Sequence, residues 1–600
     1  MDQAQFLDGL QERLKDQFHA SEQVLSFEEF LERFRAEPSR FLRSAPQYLI
    51  EMFDHFGTSD TTRVGQDAKR HRLFDLDADI GTVGLVGQER AQSMIHRYLE
   101  SFAKRGKADK MLLLHGPNGS GKTTVIENII RGLEAFSQTS EGILMTFSWV
   151  FSENEGRLKR IGFEAGAETP ESVDDLDSLA HLDVSDVSAR FGCELHDSPL
   201  FLIPVDERAA FVEEVIDSAS TSDCADLNYD RFLEGDLCQK CRKIYDTLLV
   251  AYDGDWRKVI RHVRVERFVI SKRYRSCAVS IEPQGNVDSG TQPITSEHSW
   301  HIPIELRNAT LYQPVGDIVD ANRGVLEYSD FLKRSLEMNK YLLTTCERGT
   351  ASLQNCMAYL DLVIFATANE KQLSVFKRSP DFSSFKGRME LISVPYLLRY
   401  STEVELYRRQ IRSFSRDRHV TPHAATVAAL WAVLTRLRKP VKEDFSEPLA
   451  SAVTRLTPLE KSRLYDSGEP PDHFTDEERK ALKAGVLEVR GEFEEHEAEF
   501  EGMFGAEYEG RRGVSPREML TLLSRAAETR TFQCLTPMAV LGAIEELIRD
   551  VSLYDFLRLP AEDGYHDVHS LLADVRREYL RWVRDEVYDS IGLSRLLPPR

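Results

Sequence analysis

His115-Gly116-Pro117-Asn118-Gly119-Ser120-Gly121-Lys122-Thr123-Thr124 is the stretch on which the fold turns. It contains G-x-x-x-x-G-K-[ST] without a gap. The apolar run 111–114 precedes it, and TTVIENIIRGLEAF (123–136), with apolar residues at helical spacing, follows it. Strand, glycine loop and helix in this order form the context that a phosphate-binding loop requires. Glycines let the backbone wrap an anion and present N–H groups to it. Lys122 brings positive charge to the β- and γ-phosphates, and the Thr123 hydroxyl is the expected Mg²⁺ ligand. The start of the following helix adds a favourable dipole. Gly116, Pro117, Asn118, Gly119, Ser120, Gly121, Lys122, Thr123 and Thr124 are therefore the expected nucleotide-binding residues, with ATP and Mg²⁺ as cofactors. The alternative is a glycine-rich turn before a helix, with no ligand.

Outward from this unit, short apolar runs alternate with helical stretches. MLLLH (111–115), GILMTF (142–147), FLIP (201–204), GVLEYS (324–329) and LVIFATA (362–368) read as strands of a buried parallel sheet. The expected fold class is α/β, a P-loop core of parallel sheet flanked by helices over residues 73–400. A long insertion at about 151–303 interrupts it. That insertion holds an acidic part, ESVDDLDSLAHLDVSD (171–186), and a basic part, DWRKVIRHVRVERFVISKRYR (255–275), whose spacing predicts a helix and then a strand. Residues 1–72 read as a helical region: Phe27, Phe30, Leu31 and Phe34 recur at helical spacing behind Ser26 as N-cap. Residues 401–530 read as a helical lid and 531–600 as a C-terminal helical region.

Composition sets the outer limits. The chain has 600 residues, 42% hydrophobic and 29% charged, with 76 Lys+Arg against 98 Asp+Glu and a formal charge of −22. This suits a folded chain with several cores. The acidity argues against nonspecific wrapping of nucleic acid, which needs a basic surface. The longest apolar candidate, 424–437, is too short to span a bilayer, and the charged N-terminus lacks the apolar stretch of a signal peptide. No membrane association and a cytoplasmic location are expected. Eight cysteines imply no disulfide framework.

A phosphate loop needs a second element to hold Mg²⁺ and orient water. ANRGVLEYSDF (321–331) is the candidate. ANRG followed by an apolar strand ending in acid resembles the Walker B region of AAA+ ATPases, especially the magnesium-chelatase-like and PrkA branches. An Asp–Glu pair usually closes that strand. Here Ser329-Asp330 stands in its place, so the resemblance gives Asp330 the water-activating role and leaves Ser329 where a metal-side Asp is usual. Strand alternation would put Glu327 on the face of Ser329. The strand ending in Asn369 is similar to the sensor-1 strand, and Asn can bond a water or a phosphate oxygen without adding charge. Arg388, before an apolar strand and VPY, resembles an arginine finger acting on a neighbouring subunit's nucleotide. Arg517, in GVSPRE (513–518), is similar to the sensor-2 arginine of the lid.

The order of phosphate loop, basic segment, ANRG strand, Asn strand, VPYLLR and GVSPR resembles the PrkA family of bacterial AAA+ proteins, named serine protein kinases. The opening FEEFLERFRAEPSRFLRSA and SPLFLIP (198–204) resemble that family too. The resemblance implies an ATP hydrolase working as a homo-oligomeric ring on a protein, with serine kinase activity. It also implies a longer C-terminal region than these 600 residues leave room for. No kinase signature of the D-F-G or H-R-D type is present. The alternative is ATP-driven remodelling, a protease-like activity or a nucleotide-gated scaffold.

Two further constellations stand apart. Cys238-Gln-Lys-Cys241 follows Cys193-Glu-Leu-His196 in the insertion, and Cys₃His is a legitimate closed zinc set. The spacing between the pairs is long, Cys224 lies between them, and unrelated cysteines are the alternative. The basic stretch 257–275 has little aromatic interleaving and reads as a packed helix and strand, so nucleic acid is not an expected partner.

Overall fold

The computed structural model describes the chain except residues 1–23, 64–65, 77–83, 153–177, 219–226, 284–288, 295–305, 307–309, 335–338, 415–417, 491–507, 530–531 and 593–600. Its principal strands are β1 (Val24–Leu25), β2 (Met111–Gly116), β3 (Leu144–Ser152), β4 (Val187–Gly192), β5 (Val263–Phe268), β6 (Ala278–Ile281), β7 (Val325–Tyr328), β8 (Val363–Asn369) and β9 (Met389–Ser393). The helices that matter below are α1 (Phe27–Ala36), α2 (Ala45–Phe56), α3 (Glu89–Arg105), α4 (Lys122–Gln138), α5 (Gln239–Ala251), α6 (Tyr400–Phe414), α7 (Ala424–Leu434), α8 (Pro516–Glu528), α9 (Pro537–Arg549) and α10 (Val568–Ser590).

β9, β2, β8, β7 and β6 form a five-stranded sheet in that order, parallel throughout. Every residue of β2 is buried. Side chains alternate across a strand, so a sheet covered on both sides must be apolar at every position. The packing shows this directly. Met111 and Leu113 join one core with Ile364, Ala366 and Leu391, whereas Leu112 and Leu114 join another with Val363, Phe365 and Ile392. The second core is completed by Met52 of α2, Ile95 of α3 and Ile126 of α4. The expected α/β architecture is present.

The first core is completed by an antiparallel sheet in the order β1, β5, β3, β4. Two strand expectations change here. GILMTF belongs to β3 and pairs antiparallel with β4 and β5, outside the parallel sheet. FLIP forms no strand: Pro199–Leu202 is a short 3-10 turn capped by Ser198. Both runs are apolar and buried, and burial alone does not distinguish one sheet from another or a strand from a turn. AVSI (278–281), which patterning passes over, is the edge strand of the parallel sheet.

The N-terminal segment is tied into the same layer. Ser26 and Glu29 form a reciprocal capping box that starts α1, and Phe27, Phe30 and Phe34 bury one face of it. Val24 pairs with Glu266 in the second sheet.

Beyond residue 400 the described chain is largely helical. α7 is buried at every position but Thr426 and packs against α6, α8, α9 and α10. A helix apolar all round must lie at the centre of its bundle. The charged stretch 474–500 forms no continuous helix: it breaks at Gly485, giving Asp476–Ala484 and Val486–Val489, and residues 491–500 fall outside the described residues. Among the described residues no helix is long and apolar enough to cross a membrane.

Candidate nucleotide site

In an open parallel sheet, ligands bind at the carboxyl ends of the strands, where neighbouring connections diverge. Here β2 lies between β8 and β9, and its carboxyl end runs into the 116–124 loop. Asn369, the last residue of β8, is the register partner of Gly116.

The loop needs its glycines. A Cβ on Gly116 would stand 2.1 Å from the Val394 carbonyl oxygen. Gly121 has φ +99°, a left-handed conformation that favours glycine, and caps the start of α4. The Lys122 ammonium folds over the loop, donating to the carbonyls of Gly116 at 3.0 Å and Pro117 at 2.8 Å. Burial pushes it down to about 8, opposed by Asp330 and Glu370 and reinforced by Arg517. The Ser120 hydroxyl is buried without a hydrogen-bond partner, and Thr123 is exposed at the first turn of α4. A buried orphan hydroxyl and a lysine resting on carbonyls fit an anion seated in the loop.

The other sequence-predicted residues lie at several positions. Asp330 follows β7 with φ +48°; its N–H donates to Thr367 Oγ1 at 2.9 Å and its carboxylate pairs with Lys333. The Ser329 N–H donates to the Ile281 carbonyl at 3.0 Å. Glu327 does not supply a carboxylate at the strand end. It is buried two residues earlier, accepts from Ser280 and lies 3.7 Å from Lys272. Asn369 caps the helix that follows β8, its Oδ1 accepting from the Gln372 N–H at 3.3 Å. Its amide NH₂ is the donor suited to an anion.

Arg517 is brought to the loop from the lid. A Cβ on Gly119 would stand 3.8 Å from the Arg517 Cβ and 3.7 Å from the Ser515 Cβ. Ser515 and Glu518 form the capping box that starts α8, which sets Arg517 in its first turn. Arg388 is different. It precedes β9, level with the start of β2, so it lies at the opposite end of the sheet, about 17 Å along the strands from the loop. It bonds Glu347 at 2.6 Å and the Ser384 carbonyl at 2.8 Å.

Residue patterns missed several groups. His115 and Glu370 each adjoin a motif, and parallel pairing brings them together. His115 Nδ1 donates to Glu370 Oε1 at 2.7 Å. Tyr508 from the lid also donates to Glu370 at 2.7 Å, and Arg511 lies 3.5 Å away. Burial raises the carboxyl of Glu370, but these donors outweigh it and hold it at about 2. Tyr396 donates to the Asn118 carbonyl at 2.8 Å, and Gln88 donates to the carbonyls of Ser120 at 3.1 Å and Pro395 at 2.6 Å. The position of Glu370 after Asn369 was the available signal. Tyr508 and Gln88 carry none, because only folding brings them to the loop.

The ANRG segment also takes a different role from nucleotide contact. Asn322 donates to the Leu195 carbonyl at 2.6 Å and accepts from the Asp361 N–H at 2.7 Å, while Arg323 lies 3.5 Å from the Asp361 carboxylate. It fastens the insertion to the parallel sheet. The basic stretch spends its charge internally: Arg264 pairs with Glu266, and Arg267 donates to the Ser137 and Thr139 carbonyls.

Comparison with known proteins agrees with this architecture. The PrkA AAA domain model matches residues 173–444, and the PrkA serine protein kinase C-terminal domain model matches 459–595. Together they take in more than half of the chain. The phosphate loop lies upstream of both and rests on its own motif and geometry. The ATP-dependent protease PrkA of Bacillus subtilis (strain 168) is 22% identical over 527 residues, 87% of this chain and 67% of that one. The serine/threonine kinase YeaG of Escherichia coli (strain K12) is 24% identical over 214 residues, 35% of this chain and 28% of that one. Among solved structures, NtrX from Brucella abortus with ADP is 13% identical, covering 70% of this chain and 62% of that chain at a TM-score of 0.24. With both domain models matched in order and the parallel sheet in place, the chain belongs to the PrkA family.

Proposed function

We propose that the chain binds ATP with Mg²⁺ at the 116–124 loop and hydrolyses it to drive an activity directed at protein. The observation that carries this reading is the approach of the lid to the loop, with Arg517 packed at Gly119. An AAA domain implies ATP binding, and a lid arginine at the loop adds a group that can respond to the γ-phosphate. In this reading the loop N–H groups and Lys122 hold the phosphates, and Thr123 offers its hydroxyl to the metal. Mg²⁺, when bound, neutralises charge on the phosphate oxygens. Asp330 accepts the proton of the attacking water, and Asn369 orients that water. Arg388 serves a neighbouring copy in a homo-oligomeric ring, since it lies far from its own loop.

The relatives divide over the output, one named an ATP-dependent protease and the other a serine/threonine kinase. The protease relative aligns along far more of this chain, which favours ATP turnover coupled to handling a protein over phosphoryl transfer to serine. The fate of the γ-phosphate decides between them. With γ-labelled ATP, purified chain and a generic unfolded protein, label is expected as free phosphate and lost in Lys122→Ala. Label on protein serine, equally lost in Lys122→Ala, would establish the kinase output instead. Absence of both would overturn ATP turnover.

A further inference from the structure

Three cysteines and one aspartate meet in the core of the insertion, about which neither the relatives nor the nucleotide site says anything. Cys193 follows β4, Asp197 lies four residues on, and Cys238 and Cys241 open α5. All four are buried, and one ligand atom from each lies within 4.8 Å of every other. We propose that Cys193, Cys238 and Cys241, with the Asp197 carboxylate, bind one structural Zn²⁺.

The distances match the ion. Two thiolates about 2.3 Å from a tetrahedral zinc lie about 3.8 Å apart. The Cys193 and Cys238 sulfurs are 3.8 Å apart, almost twice the length of a disulfide bond. The three cysteines are free thiols. Three thiols and a carboxylate facing one another without a cation are a poor way to fill a core, since a buried carboxylate needs a counter-charge or several donors. As the metal binds, each thiol releases its proton to solvent and forms a metal–sulfur bond, which leaves four anionic donors around Zn²⁺.

The surroundings orient those donors. The Cys238 N–H donates to Asp197 Oδ2 at 2.8 Å, and the Asp197 N–H donates to the Cys193 sulfur at 3.3 Å. Such bonds fix ligand orientation. Cys238 and Cys241 occupy the N-cap and first turn of α5, where the helix dipole favours anionic sulfur. Lys240, buried between them in sequence, pairs with Glu194 and the Gly192 carbonyl.

His196, the fourth member of the Cys₃His set suggested by spacing, is not among these donors. It has φ +50°, lies tilted against the Phe268 ring at 4.5 Å between centroids and places Nδ1 3.9 Å from the Cys277 sulfur. One residue later, Asp197 turns inward. The site is closed by four protein ligands, which suits structure rather than catalysis. It holds the 193–197 turn whose Leu195 carbonyl is gripped by Asn322, next to the strand leading to Asp330.

The test is metal analysis of the full chain purified under reducing conditions. About one zinc per chain is expected. After exchange with Co²⁺, the ligand-field bands and sulfur charge-transfer absorption of a tetrahedral thiolate site are expected. Asp197→Asn and Cys238→Ser should weaken metal affinity by at least about tenfold, and His196→Ala should retain the metal. The cobalt spectrum of the unaltered chain reads the site even where a cysteine variant fails to fold. A folded, reduced chain that takes up neither Zn²⁺ nor Co²⁺ would overturn the proposal. So would a reducible disulfide between these cysteines in a metal-free chain, or loss of metal in His196→Ala with retention in Asp197→Asn.

Discussion

Glu370 Oε1 lies 2.7 Å from His115 Nδ1, joining the residue before the phosphate loop to the residue after the Asn369 strand end. Tyr508 donates to the same oxygen from the lid. One carboxylate thus touches both strands that frame the candidate site and the helical unit above it. With three donors facing it, Glu370 is suited to positioning rather than to accepting a proton from water.

Glu370→Gln should cost about 1–3 kcal/mol of stability at neutral pH, since it removes the charge from these hydrogen bonds. The carboxyl is held at about 2 in the folded chain, below its unfolded value of about 4.3. Its contribution is therefore complete above about pH 4.3 and disappears as pH falls toward 2. Urea unfolding of both proteins should show a gap at pH 7 that narrows by pH 3. An unchanged gap would mean that the ionised carboxylate is not the stabilising group.

Lys122 gives opposite signs for folding and for binding. Its folded value of about 8 lies below the unfolded value of about 10.4. Between these values the unfolded chain holds more protons, so this group adds stability to the nucleotide-free chain as pH rises. Phosphate binding needs the ammonium, so ATP affinity should fall by up to about tenfold per pH unit above pH 8. Nucleotide titrations and thermal melts from pH 7 to 10 read both. The pH dependence of affinity should vanish in Lys122→Ala.

Arg388→Ala should lose most ATP turnover while keeping nucleotide affinity, because Arg388 lies at the far end of the sheet from its own loop. Mixed with Lys122→Ala, it should recover turnover, since some interfaces then join an intact loop to an intact arginine. Phosphate release from the mixture, compared with each variant alone, checks this. No recovery in mixtures that demonstrably co-assemble would exclude action between subunits.

Arg436 and Glu403 form an ion pair with no exposure on either side, at 2.7 Å. Arg436 also donates to the Leu397 carbonyl at 2.8 Å and to the Val514 carbonyl at 3.0 and 3.1 Å. Arg436→Ala would leave a buried carboxylate unpaired, with an expected loss of about 3–5 kcal/mol by denaturant unfolding. Val514 stands three residues before Arg517. Arg436→Lys keeps the charge but not the guanidinium fork on the Val514 carbonyl, so a folded variant should lose nucleotide affinity as well as stability, read by nucleotide titration beside denaturant unfolding.

The candidate zinc cluster shows how far spacing reaches. C-x-x-C and an upstream cysteine are visible in a linear pattern, and so is the histidine that completes a Cys₃His set. The left-handed turn at His196 aims its ring elsewhere and presents Asp197 instead. Strand reading met a similar limit. MLLLH and LVIFATA lie in the central parallel sheet, while GILMTF, equally apolar, pairs antiparallel in another layer.

By itself, the sequence determined the parts whose chemistry is local. A glycine loop between an apolar strand and a helix specifies its own backbone and its affinity for phosphate, because φ freedom, N–H direction and helix dipole all act within ten residues. Capping boxes at Ser26 and Ser515 are local in the same way. Tertiary structure alone decided which distant residues meet: Glu370 with His115 and Tyr508, Arg517 with Gly119, Asp197 with three cysteines. Those pairings depend on sheet order and on the packing of lid against core, which are set by the summed burial of side chains far apart in the chain.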